Sequence, residues 1–323
     1  MAMRGLTQIV VLGVGLVLGA AAYAQAWPAK PVRVIVPFPP GGGTDVQARV
    51  LAREFQEQFG QTFVVDNRAG ASGLIGAELA VNSPADGYTV LFSTATLAIN
   101  PALYGNRMKF NPVKDLAPIS WISTTPMVLI VHPSVPARTA KELIELAKKK
   151  PALLNAAVNV PGSTSHLSAE ILKQLAGLKF TIVPYKGGGP SMLALVSGEI
   201  DFLFAEGLLA VPQIKAGKVR ALAVTTPQPS PGFPDLPTMN SLLPGFVSDN
   251  WFAMFFPAGT SKEIVVTFNA AIRKAMETEG VRAFLKREVL NGVGSTPEVL
   301  DAHLKSETAR YAEVVRKGNI KLE

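Results

Sequence analysis

The residues best suited to chemistry in this chain are backbone-rich. They form the stretch Pro39-Pro40-Gly41-Gly42-Gly43-Thr44-Asp45. The prolines stiffen the exit from a β-branched run, and the three glycines permit positive φ and close backbone approach to a ligand. Thr44-Asp45-Val46-Gln47 has the T-x-x-Q spacing of a capping box, so Thr44 is the expected N-cap, with Gln47 turning back to its amide. A helix start placed there presents free amides to a small carboxylate or phosphate. Nucleotide motifs do not fit. A P-loop needs a lysine where Thr44 stands, and the dinucleotide fingerprint needs a glycine where Val46 stands. A purely structural tight turn is the alternative reading.

A second loop of the same character is Pro161-Gly162-Ser163-Thr164-Ser165-His166, with amides and hydroxyls at a helix start. One such loop on each side of a cleft would clamp an anion. His166 is read first as a structural histidine bonding this loop. A third glycine cluster, YKGGGPSM (185–192), has Pro190 at the expected first helical position; a ligand loop and structural packing fit it equally. NRAGASGLIG (67–76) reads as close packing of loop and helix. Catalytic constellations are thin. There is no G-x-S-x-G elbow, no cysteine and no H-x-x-x-H spacing among His132, His166 and His303. Glu199 and Asp201 fall on one strand face. No nucleophile pairs with a base, so an enzyme is not expected, and neither a metal nor a cofactor is.

These loops need elements to position them. VRVIVPF (32–38), TFVVD (62–66) and YTVLFS read as strands, with helices over 45–59, closed by Gly60, and near 74–82. A second series follows. It comprises a strand at 127–133, a helix at 140–150 opened by the Thr139/Glu142 capping box, a weak strand at 153–158 and a helix from His166 closed by Gly177. FTIVPY, EIDFLF and VRALAVT are further strands, with a short helix after GGGP and another ending at Lys215. Residues 250–257 form a strand, Thr260/Glu263 caps a helix to about Thr278, and Thr296-Pro297 opens a terminal helix through Arg316. Alternating strands and helices imply sheets covered on both faces. The order suggests two α/β units, with crossovers near 121–131 and 219–229 and a cleft between them.

The 323 residues suffice for two such units without metal or disulfide staples. Residues 1–26 carry Arg4, an apolar run from Ile9 to Ala22 and small-residue cleavage sites, the pattern of a cleaved secretory signal. Absence of cysteine also removes a lipoprotein anchor. The net charge of +7 is spread along the chain without a basic, aromatic-interleaved stripe, so no nucleic-acid partner is expected.

Eight stretches together, among them WPAKPVRVIVPFPPGGGTDVQARVLA, VVDNRAGASGLIGAELAVNSPADGYTVLF, GSTSHLSAE and VPYKGGGPSMLALVSGEID, resemble in order the Bug/TctC family. Its members are the extracytoplasmic solute receptors of tripartite tricarboxylate transporters. The resemblance implies an α/β, two-lobed periplasmic-binding-protein fold, type II-like. Each lobe is then a mainly parallel sheet flanked by helices, with two crossover strands as hinge. Lobe 1 would comprise 27–125 and 226–323, and lobe 2 126–225. The resemblance implies a small carboxylate as ligand, the transporter's membrane permease as partner, a periplasmic location and a monomer. The expected ligand-binding residues are Phe38, Gly41, Gly42, Gly43, Thr44, Asp45, Thr94, Ala95, Leu97, Val158, Gly162, Ser163, Thr164, His166, Ala205 and Glu206. Ala205 stands where many members carry an aspartate, and Leu97, Val158 and Val160 where polar or small residues are common. Those departures tilt the expectation toward apolar or aromatic carboxylates, although Glu206 could replace the missing acid. An exported hydrolase using the cleft and a receptor signalling to a membrane kinase are the alternatives.

Overall fold

The β-branched run forms strand β1 (Val32–Val36), near the start of the computed structural model, which describes residues 27–318 and Ile320. The signal sequence expected over 1–26 lies outside the described residues. The chain continues through α1 (Gly43–Phe59), β2 (Phe63–Asn67), α2 (Leu74–Val81), β3 (Thr89–Thr94), α3 (Thr96–Tyr104) and the long strand β4 (Leu116–Val131). Then come α4 (Ala140–Lys149), β5 (Asn155–Val158), α5 (Thr164–Ala176), β6 (Thr181–Pro184), α6 (Gly188–Val196), β7 (Phe202–Glu206), α7 (Gly207–Lys215) and β8 (Arg220–Val224). The last part holds α8 (Met239–Leu242), β9 (Asp249–Pro257), α9 (Lys262–Glu277), α10 (Glu279–Arg287), β10 (Asn291–Gly292) and α11 (Pro297–Gly318).

The strands follow the order β2-β1-β3-β9-β4-β7-β5-β6, with β8 and β10 also pairing β4. β1 runs parallel to β2 and β3, and β5 parallel to β6 and β7. At the junction, β9 is antiparallel to β3 and β4, and β4 antiparallel to β7, so the sheet as a whole is mixed. β4 belongs to both halves. Its first part, through Pro126 opposite Asp249, pairs with β9; from Met127, opposite Glu206, it pairs with β7. Proline cannot donate to a ladder, which suits Pro126 to the point where one partner gives way to the next.

Strand alternation sorts side chains onto two faces of each half. In the first half, Val32, Val34 and Val36 pack against α1, α9 and α10, while Ile35 and Leu91 face α3 and α11. In the second, Met127, Leu129 and Val131 pack with α4 and α5, and Val128 and Ile130 with α6 and α7. No helix of the described residues is long and apolar enough to cross a membrane.

Several boundaries differ from the sequence reading. The N-cap of α1 is Gly42, in extended backbone, not Thr44; the Gln47 amide reaches the Gly43 carbonyl and its oxygen accepts from Ser123 Oγ at 2.7 Å. Ser261, not Thr260, caps α9, because the Thr260 hydroxyl is taken by the Pro257 carbonyl. α6 starts two residues before Pro190. The Thr139 cap holds as expected, its hydroxyl accepting from the Glu142 amide at 3.1 Å. Of the residues 127–133, read as a separate strand, 127–131 are the end of β4, and α3, α8 and α10 were not foreseen.

Candidate functional site

The carboxyl ends of β1, β3, β5 and β7 meet where β4 changes partners. In open α/β sheets such a switch point is where ligands bind. A cavity of about 180 Å³ lies there. Its walls are the Phe38–Thr44 loop after β1, Thr94 and Thr96 at the end of β3, Asn159, Val160 and Ser163–Ser165 after β5, Lys186–Pro190 after β6, Glu206 and Leu209, and Met127 and Asn250 from the crossing strands.

Each loop is braced from behind. The Gly41 amide donates to Asp45 Oδ2 at 2.9 Å, and Asn67 Nδ2 donates to the Phe38 carbonyl at 3.0 Å. Burial pushes the Asp45 carboxyl up, but hydrogen bonds from Arg49 and Gly41 outweigh it and hold the group below the usual range. Gly73 and Gly76 allow the 67–76 loop to lie against Pro37 and Phe38; a β-carbon at Gly76 would stand 2.8 Å from Pro37 Cα. The first turn of α1 therefore keeps its leading amides free. Across the cavity, Ser163 caps α5 and also donates to the Val160 carbonyl at 2.7 Å. His166 Nδ1 accepts from the Gly162 amide at 3.0 Å, and burial pushes its pKa down to about 4. It is therefore a neutral brace of the loop, and its Nδ1 is not free to take a proton from a pocket hydroxyl.

Asn250, 4% exposed, joins these parts. Its Oδ1 accepts from the Ala95 amide and Thr164 Oγ1, both at 3.3 Å, and from the Trp251 amide at 3.0 Å. Its Nδ2 donates to Glu206 Oε1 at 2.9 Å. Burial pushes the Glu206 carboxyl up to about 6, against the opposing effect of the Asn250 hydrogen bond. Glu206 and Lys186 are the acid and the cation of the lining. Gly43 fits this arrangement closely: a β-carbon there would stand 2.7 Å from Glu206 Oε2, so the carboxylate would have to shift.

Of the expected residues, Phe38, Gly41, Gly42, Gly43, Thr44, Thr94, Ser163, Thr164 and Glu206 line the cavity. Asp45, Gly162 and His166 support the loops from outside it, and Ala95 contributes through Asn250. Leu97, Val158 and Ala205 do not line it; all three are buried in the hydrophobic cores. Residues not foreseen are Thr96, Met127, Asn159, Leu209 and Asn250. Of the third glycine cluster, whose two readings stood level, Lys186–Pro190 reach the cavity.

The architecture is that of the periplasmic binding proteins, with the cavity between two α/β halves. The chain belongs to the tripartite tricarboxylate transporter receptor family, TctC, whose family model matches residues 47–320. It is 37% identical over 309 residues to the protein BugT of Bordetella pertussis, an overlap of 95% of this chain and 94% of BugT. An R. palustris protein solved with adipate superposes with a TM-score of 0.87 at 34% identity, over 91% of this chain and 99% of that one. MatC from Rhodopseudomonas palustris, solved with bound malate, gives 0.83 at 30% identity, over 90% and 100%.

Proposed function

We propose that the protein is a periplasmic receptor that captures a small dicarboxylate in this cavity and delivers it to the membrane permease of a tripartite tricarboxylate transporter. The observation that carries the reading is the convergence of two helix starts, α1 and α5, on one cavity, where Asn250 ties the α5 start to Ala95 and Glu206. Free amides and the positive ends of two helix dipoles favour an anion there. The adipate and malate bound in two related structures support the dicarboxylate class. Of the four departures behind the apolar tilt, Leu97, Val158 and Ala205 lie in the cores, and Val160 lines the cavity. In this reading, residues 27–125 and 226–323 form one lobe and 126–225 the other, closing about the partner change in β4. A leader over 1–26 directs export, and the receptor acts as a monomer. The hydrolase alternative cannot use His166 as its base, because its Nδ1 accepts from the Gly162 amide.

A thermal-shift screen tests it, because a ligand that binds only the folded protein raises the melting temperature. C4 to C6 dicarboxylates should raise it in a concentration-dependent way. A response to nucleotides or neutral sugars, with none to any carboxylate, contradicts the proposal.

A further inference from the structure

A second and larger cavity, of about 1220 Å³, lies away from the ligand site, between α7 and the corner formed by α9, α10 and β10. Its apolar part is made by Phe233, Leu285 and Leu290, which are buried, with half-buried Ile214 and Met276 and exposed Val293. Its charged lining is one-sided. Lys215, Arg273, Arg282 and Lys286 are all exposed, and none has an ion-pair partner among the described residues. Arg287 pairs with Glu288 at 2.6 Å, and Glu277 is the sole acid of the lining. Together the exposed cations give this face a cationic field.

Shape narrows what that something is. The trough is concave, with apolar residues inside and cations around them, so a flat lipid surface cannot reach its floor. It is several times larger than the ligand cavity, too large for one small anion. An amphipathic protein segment fits both features, setting apolar side chains on the floor and carboxylates against the cations.

The trough is also mechanically joined to the ligand cavity. α7 is a shared wall: it begins directly after Glu206, Leu209 faces the ligand cavity, and Val211, Ile214 and Lys215 face the trough. The join is tightened by Val289, a β-branched residue held at φ 57°, in the left-handed region. Such backbone persists only where packing enforces it. Val289 presses on Gly207, the first residue of α7, where a β-carbon would stand 3.3 Å from Val289 Cβ; at Gly232 its methyl leaves no room for one. A partner seated in the trough would therefore touch the helix that bounds the ligand.

We propose that this trough is the docking face for an acidic, amphipathic segment of the membrane permease. The assignment rests on the receptor function proposed above. The test is binding of the receptor to purified permease in phosphatidylcholine nanodiscs, with adipate or malate affinity and thermal midpoint measured alongside. The double variant Arg282→Glu/Lys286→Glu should weaken permease binding by about tenfold or more, with dicarboxylate affinity and midpoint unchanged. Lys148→Glu/Lys149→Glu, which reverses two exposed charges on α4, should leave it intact. Permease binding that ignores the Arg282/Lys286 reversal, or responds equally to both reversals, overturns the trough and leaves the receptor function standing. Binding to empty phosphatidylglycerol nanodiscs in place of the permease assigns the cations to lipid and overturns it too. If the wild-type protein binds a dicarboxylate but not the permease, the delivery function and the trough fall together.

Discussion

At the scale of single residues, Glu206 and Gly43 set the sharpest expectations. The Glu206 carboxyl rises from 4.5 to about 6 in the folded protein. A raised pKa means its contribution to stability is fully present below 4.5 and is lost as pH rises through about 6, by about 2 kcal/mol. Glu206→Gln should therefore melt higher than the wild type at neutral pH, and the difference should vanish in acid. A bound anion disfavours the ionised carboxyl, so between about pH 5 and about pH 7 dicarboxylate affinity in the wild type should fall relative to that in the variant, the ligand's own ionisation being common to both. Calorimetry that finds the same slope in both removes Glu206 from the ligand's environment. The glycines separate as cleanly. Gly43→Ala drives a β-carbon into Glu206 Oε2 and should weaken binding by about tenfold or more. Gly42 sits at φ −79° with only the Pro39 carbonyl near, at 3.6 Å, so Gly42→Ala meets no protein clash and should weaken binding less than Gly43→Ala. Equal losses at both positions would show that loop flexibility, not the contact with Glu206, matters.

At the scale of elements, the account depends on how β3, α5, β7 and β9 are tied together through Asn250. Asn250→Ala strands the Ala95 amide and the Thr164 hydroxyl in a buried setting and should cost about 1–3 kcal/mol in denaturant unfolding. An unchanged midpoint would mean that the network does not hold these elements. Nothing local announces this residue, because its partners Ala95, Thr164 and Glu206 lie 155, 86 and 44 positions away. The parallel strands were legible because β-branched runs between turn residues leave few alternatives. The first part of β4 was not: LAPISWISTTP contains two prolines and breaks a two-residue period. α3 was missed because TLAINPALY contains Pro101 and is buried almost throughout, leaving no amphipathic pattern. The two anion loops were read from glycine and hydroxyl content. The Thr44 cap failed because the helix begins earlier, at glycines whose backbone needs no side-chain partner. Leu97, Val158 and Ala205 entered through family resemblance, and strand and helix packing turns them into the core.

At the scale of the molecule, two α/β halves share one strand, and the proposed ligand cavity lies where that strand exchanges β9 for β7. Pro126 and Met127 mark the exchange, so bending there would move α5 toward α1 without breaking either half-sheet, a hinge of the kind that closes around ligands. If the proposed closure takes place there, the trough would feel it too, because α7 lines both cavities. The central claim is that the α1 and α5 starts together hold a carboxylate. A crystal structure of the protein with the dicarboxylate of largest thermal shift tests it most directly. The account predicts a carboxylate group within hydrogen-bonding distance of the Gly43–Thr44 amides on one side and of Ser163 or Thr164 on the other, directly or through one water. A dicarboxylate found instead in the cationic trough, with the cavity between α1 and α5 empty, contradicts it.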